Sequence, residues 1–152
     1  MKRKLKITLY IALGLAIILG YDYYRMQQIE FEVISIQPDP AEADPRQPVV
    51  IELAVTDKRG NPVRAHNIVA LSLSGGSWNG YRQKTDENGR VTFSYNPFKL
   101  ESYQTARDVV VKFRDESNSV FVEMYPTLEV KLRMVPPTER DTEGLKVDDL
   151  FS

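Results

Sequence analysis

The chain has no cysteine and a single histidine, His66. The first absence excludes a disulfide framework and all thiol chemistry, and it leaves the redox compartment open. The second excludes a metal site built from several histidines, and His66 itself reads as a loop or strand-edge residue. An excess of either charge is also missing, since 20 Lys and Arg face 21 Asp and Glu. That balance hides a segregation. Residues 1–25 carry Lys2, Arg3, Lys4, Lys6 and Arg25 against Asp22 alone, so the remainder is mildly acidic. An acidic body speaks against nucleic acid as a partner, because phosphate binding needs clustered positive charge. Finally, there is only one long uncharged hydrophobic run, and it lies at the N-terminus. A length of 152 residues leaves room for one domain plus tails, and hydrophobic residues at 42% argue against disorder throughout.

The uncharged run, Ile7 to Tyr21, follows the basic start MKRKLK. Fifteen residues is short of the roughly 20 that a spanning helix wants. Lys6 can snorkel to the headgroups, and Tyr21, Tyr23 and Tyr24 suit the far interface, which extends the span. A cleaved signal peptide shares the basic start and short apolar region. Around Gly20 no A-x-A pattern stands, since Ile18 and Leu19 precede it and Tyr21 follows. A retained anchor over residues 7–24 is therefore expected, behind a cytoplasmic flank at 1–6 and ahead of a linker at 25–29; a cleaved signal or a buried helix are the alternatives. The basic flank stays inside, so the C-terminal body lies outside the cytoplasm at the cell membrane. A type IV pilin start, with glycine and phenylalanine ahead of the apolar run, is not seen.

Beyond Arg25, period-two alternation replaces helical period. Phe31, Val33 and Ile36 belong to a first strand that bulges where the alternation slips at Ile34. Prolines 38, 40, 45 and 48 then make PDPAEADPRQP an edge crossing or stiff loop, because proline lacks the ladder donor. Further runs are Val49, Ile51, Leu53, Val55; Val69, Leu71, Leu73; Val91, Phe93, Tyr95; Val109, Val111, Phe113; Val120, Val122, Met124; and Leu128, Val130, Leu132, Met134. Turn-rich segments such as DKRGNP and TDENG separate them. About seven strands over residues 30–135 predict an all-β, antiparallel sandwich preceded by one transmembrane helix, with a small closed barrel as the alternative. The acidic tail, 136–152, reads as disordered.

The stretch VVIELAVTDKRGNPVRAHNIVALSLSGG, with TDENGRVTFSY after it, resembles the bacterial immunoglobulin-like domains of the invasin and intimin type. The shared features are a D-x-x-G-N-P-V turn, a strand ending in small residues, and T-D-x-x-G-x-V/A-T-F/V. The resemblance covers residues 49–95 and implies an immunoglobulin-like sandwich. Prealbumin-like and carboxypeptidase-regulatory-like sandwiches use similar turns. Gly60 and Gly89 sit where positive φ is needed, and Asp57 and Asp86 can bond their own turn backbones. Adhesins of this type stack many domains, whereas one domain beside one helix points to work close to the membrane.

Few residues suggest chemistry. Ser72, Ser74 and Ser77 have no histidine or lysine arrangement to activate them. Asp86-Glu87-Asn88-Gly89 has the acidic start of a calcium loop without its oxygen spacing or distal glutamate, so a β-turn is expected. Asp39, Glu42 and Asp44 read as a solvated acidic edge. Candidate partner-binding residues are Trp78 and Tyr81 in the loop GGSWNGY, where Trp78 is either an exposed aromatic anchor or a cap on the core. Leu150 and Phe151 in the tail are candidates of the docking-motif kind. No catalytic residue, metal, cofactor or small-molecule substrate is expected, and the chain does not read as an enzyme. The expected function is a structural or binding subunit of a cell-envelope assembly of the secretion, conjugation or pilus kind, with other envelope proteins as partners. The alternative is an adhesive or glycan-binding module that uses the Trp78 loop.

Overall fold

The uncharged N-terminal run forms a helix, as its residues favour, and six of the alternating runs form strands. The computed structural model describes residues 2–117 and 124–138. Helix α1 spans Lys2–Met26, about 37 Å at the usual rise per residue. Its apolar side chains are exposed, Leu9 and Ile17 among them. The stretch Lys6–Met26, with mean hydropathy 1.5, is long and apolar enough to cross a membrane. Among its described side chains only Asp22 and Met26 are buried. Asp22 and Met26, four residues apart on one face, are 5% and 1% exposed, so the helix end rests on the body. Its final carbonyls are satisfied locally: Gln27 N donates to Tyr23 O (3.2 Å) and Gln28 N to Arg25 O (3.3 Å).

Nine strands follow among the described residues: β1 (Ile29–Gln37), β2 (Ala41–Glu42), β3 (Val49–Asp57), β4 (Asn67–Ser72), β5 (Ser77–Asn79), β6 (Arg82–Lys84), β7 (Arg90–Asn96), β8 (Arg107–Asp115) and β9 (Thr127–Val135). One sheet has the order β1-β3-β7-β5 and the other β2-β9-β8-β4-β6. The core lies between them. Val49, Ile51, Leu53 and Val55 of β3 are fully buried, as are Val109, Val111 and Phe113 of β8. Phe93 and Phe113 meet across the sandwich at 5.2 Å between ring centres. On the outer face of the second sheet, directly opposed pairs carry opposite charges: Lys112 with Glu129 (3.4 Å) and Asp108 with Arg133 (3.0 Å).

The slip at Ile34 is a bulge, since the β1–β3 register shifts between Val33 and Ser35. The proline-rich segment crosses from one sheet to the other: β1 edges the first sheet, and β2 joins the second in parallel with β9. Two expectations need correction. In β4 the core face is Ile68 and Ala70, while Leu73 is 57% exposed, so the phase of Val69, Leu71 and Leu73 was off by one residue. Asp44 is not a solvated edge residue. It is buried, and its carboxylate accepts from the Arg46 backbone N–H (2.9 Å) and from both Nε and Nη2 of the Arg46 guanidinium. Of the Val120–Met124 run, only Met124 is described; it is exposed and in no strand. The tail beyond 138 also lies outside the described residues.

Candidate functional site

The strand directions give the sandwich two poles. The helix enters at the pole that holds the β3–β4 connection and the β6–β7 turn; loops 73–76 and 97–106 lie at the other. Loop 73–76 carries Gly75 and Gly76 with φ of 105° and 80°, which lets the chain leave β4 and re-enter as β5 on the opposite sheet. There Trp78 pairs with Tyr95 in register. Its indole packs against Phe93 (5.9 Å), Tyr95 (5.1 Å) and Phe113 (5.7 Å). Trp78 therefore closes the aromatic end of the core, and its buried Nε1 has no hydrogen-bond partner among the described residues. Tyr81 is 58% exposed and is held by its carbonyl, which accepts from Ala70 N (2.7 Å). The two aromatics of this loop thus point to different environments. Leu150 and Phe151 lie outside the described residues.

Gly75 also ties the loop to its neighbours. Its carbonyl accepts from the Tyr95 hydroxyl (2.8 Å) and from Ser72 Oγ. Burial raises the Tyr95 pKa, and Ser72 opposes that rise. Phe98 lies beside Gly75, and Arg107 stacks over the Phe98 ring at 5.0 Å. Exposed Leu73 and Tyr103 sit on the same two loops, Tyr103 at 83% exposure. Sequence pattern shows neither: alternation in β4 places Leu73 inward, and Tyr103 lies in a segment with no alternation to read.

At the helix-side pole, Asp57 Oδ1 accepts from the Arg59 and Asn61 backbone N–H groups (2.8 and 2.9 Å), and Oδ2 accepts from Asn61 Nδ2 (2.9 Å). The Asn61 side-chain amide, then its backbone N–H, hold Asp57 below the usual carboxylate range. A group with a depressed folded pKa stabilises the fold above its unfolded pKa and loses that contribution as pH falls through the folded value. Asn61→Ala is thus expected to move the Asp57 titration upward, read by NMR of its carboxyl carbon. Asp86 caps its turn in the same way, donated to by the backbone of Asn88 and Arg90 (2.8 Å each).

His66 meets a partner that sequence could not supply. Its Nδ1 lies 2.5 Å from Asp115 Oδ2, 49 residues away, and the Asp115 side chain is 1% exposed. The Ser117 backbone N–H donates to the other oxygen of Asp115 (2.8 Å). The pair clasps β4 to β8 at their shared end. Nearby, Glu116 bridges Arg82 (2.6 Å) and Arg114 (2.5 Å). Among the described residues, no three His, Asp or Glu side chains gather as metal ligands would. A shallow hollow of about 880 Å³ lies among Glu52, Lys84, Asp86 and Arg90, and its walls carry both charge signs.

No protein-family model matches the sequence, and no curated protein matches it. Solved structures do. The D00–D0 fragment of intimin is similar at a TM-score of 0.52 and 17% identity, over 68% of this chain and 46% of that one. The D0–D1 fragment of intimin is similar at 0.52 and 18%, over 68% of this chain and 49% of that one. The chain thus spans about half the length of either intimin fragment. At such identity the likeness establishes the fold, an immunoglobulin-like sandwich of the kind found in intimin.

Proposed function

We propose that the protein is an extracytoplasmic immunoglobulin-like module, anchored in the cell membrane by residues 7–24, that serves as a binding or structural subunit of a cell-envelope assembly. The observation that carries this reading is the helix: its apolar side chains are exposed along its length, and it runs into the sandwich through two residues, Gln27 and Gln28. Exposed apolar surface of that extent needs lipid or a partner to cover it. Lys4 and Lys6 precede the span and set its orientation by the positive-inside rule. The intimin-like fold supports a module that works by binding; the loops at the far pole offer exposed Leu73 and Tyr103, and the β5–β6 connection offers exposed Tyr81. For partner contacts, Tyr81, Leu150 and Phe151 are the residues to substitute first, and Trp78, packed against Phe93, Tyr95 and Phe113, after them.

Protease added to intact spheroplasts tests the topology. The body is expected to be digested, leaving a short protected N-terminal piece. Recovery of the body as a soluble, N-terminally trimmed protein would refute the anchor in favour of a cleaved signal. A subunit is further expected to co-purify with the same membrane proteins after detergent extraction, whereas an adhesive module would respond to glycans on an array.

A further inference from the structure

We infer that the helix-side pole of the sandwich rests on the membrane surface, with the β3–β4 connection, carrying Lys58, Arg59 and Arg64, seated among anionic lipid headgroups. This rests on the anchored reading above.

The distances come from the joint between helix and body. Tyr21, Tyr23 and Tyr24 are exposed at 62%, 44% and 62%, and such rings settle at the headgroup level. From Tyr24 to Met26 the helix adds about 3 Å. Gln27 and Gln28 add at most about 7 Å even if fully extended. Each headgroup layer is roughly 5–8 Å thick, from the difference between a bilayer's total and hydrocarbon thickness. Gln28 therefore lies at or just beyond the phosphates. Its carbonyl accepts from the Lys58 backbone N–H at 3.0 Å, which fastens the β3–β4 turn at that height. Asp22 and Met26 at the end of the helix are buried, and the Gln28–Lys58 hydrogen bond ties the joint to the turn.

The chemistry of the turn suits phosphate. Lys58, Arg59 and Arg64 are all exposed. The acid among them, Asp57, spends its oxygens on three donors of its own turn. Asp86, engaged by the backbone of Asn88 and Arg90, is exposed with Glu87 on the adjoining turn, and Glu30 at the start of β1 is exposed at the same pole, so the three bases act beside acids whose charge remains. Gly60, with φ of 80° and nothing within 4 Å of an added Cβ, forms the tip without bulk. Each base near an anionic surface changes partitioning by roughly fivefold, and salt screens the effect.

The absence of cysteine makes the test direct. Full-length protein with Arg59→Cys, or with Tyr103→Cys at the far pole, is labelled with an environment-sensitive dye and reconstituted into vesicles of phosphatidylcholine with or without phosphatidylglycerol. Headgroup-attached quencher is expected to quench the label at 59 severalfold more than at 103, more so with phosphatidylglycerol and less at high salt. In a second protein, Glu30→Cys reports on the same pole with all three bases intact. Adding Lys58→Glu and Arg64→Glu to it should abolish the dependence on phosphatidylglycerol. Flotation with the vesicles but equal quenching at 59 and 103 would overturn the surface contact while leaving the anchor standing. Failure to float would overturn both.

Discussion

Leu53→Asp is expected to abolish cooperative unfolding of the body, measured by far-UV circular dichroism on residues 28–136. That fragment itself should fold alone, with a β spectrum and a single melt, because the core needs neither cofactor nor disulfide. Leu53 is fully buried in the central strand β3, opposite Val33 on one side and Val91 on the other. The substitution removes roughly 2–3 kcal/mol of apolar burial and places an unpaired carboxylate where the effective penalty is several kcal/mol more. A domain's total stability is only about 5–15 kcal/mol, so little or none would remain. Val50→Asp is the control. It lies on the same strand but faces out, at 41% exposure, and the fold should survive with a change within about 1 kcal/mol. A cooperative melt in Leu53→Asp close to that of the parent would refute the face assignment on which the sandwich rests.

The difference between those two residues was legible in sequence because β3 alternates cleanly, VVIELAVT, and so do β7, β8 and β9. Where alternation is clean, each strand has one apolar face and the register follows. β4 was misphased for a physical reason. Its sequence NIVALS is apolar on both faces, and Val69 on the outer face is 2% exposed. Val69 is flanked in register by Arg82 and Arg114, whose guanidiniums Glu116 draws together. Long side chains on neighbouring strands can shield an outward residue, so this position looks like core. Strands β5 and β6 have three residues each, too few to show a period. Their existence depends on neighbours, β7 and β4, that the local chain does not announce.

The candidate site was less legible, because what distinguishes its residues is long-range. GGSWNGY marks a glycine-rich turn with two aromatics, but not which ring turns inward. That is decided by the pairing of Trp78 with Tyr95, which aims the indole at Phe93 and Phe113. The His66–Asp115 clasp joins residues whose proximity follows only from the β4–β8 register. By contrast, the apolar helix was plain from composition, as such segments are.

Gly89→Ala is expected to destabilise the body by several kcal/mol, and Gly60→Ala by only about 1 kcal/mol, although sequence treats the two glycines alike. Both have positive φ, 70° and 80°, so an alanine at either pays a left-handed penalty of roughly 1–2 kcal/mol against glycine. At Gly60 nothing lies within 4 Å of an added Cβ, so that penalty is the whole cost. At Gly89 the added atom would lie 2.5 Å from the Val55 carbonyl oxygen and 3.0 Å from Val63 N. Both neighbours are backbone, and backbone in a sheet does not yield as a side chain does. Val55 N donates to Gly89 O at 2.8 Å and Val63 N to Val55 O at 3.0 Å, so relieving the clash strains the contacts that join β3, the β3–β4 connection and the β6–β7 turn. Chemical denaturation of the 28–136 fragment reads both variants, and an unchanged slope confirms that the midpoint shift is a stability change. Equal losses at the two positions would mean that conformation alone decides the cost and that the close approach at Gly89 contributes nothing. A larger loss at Gly89 would show that this turn is packed into the sandwich, while the Gly60 tip, which carries the proposed membrane contact, stays open to substitution.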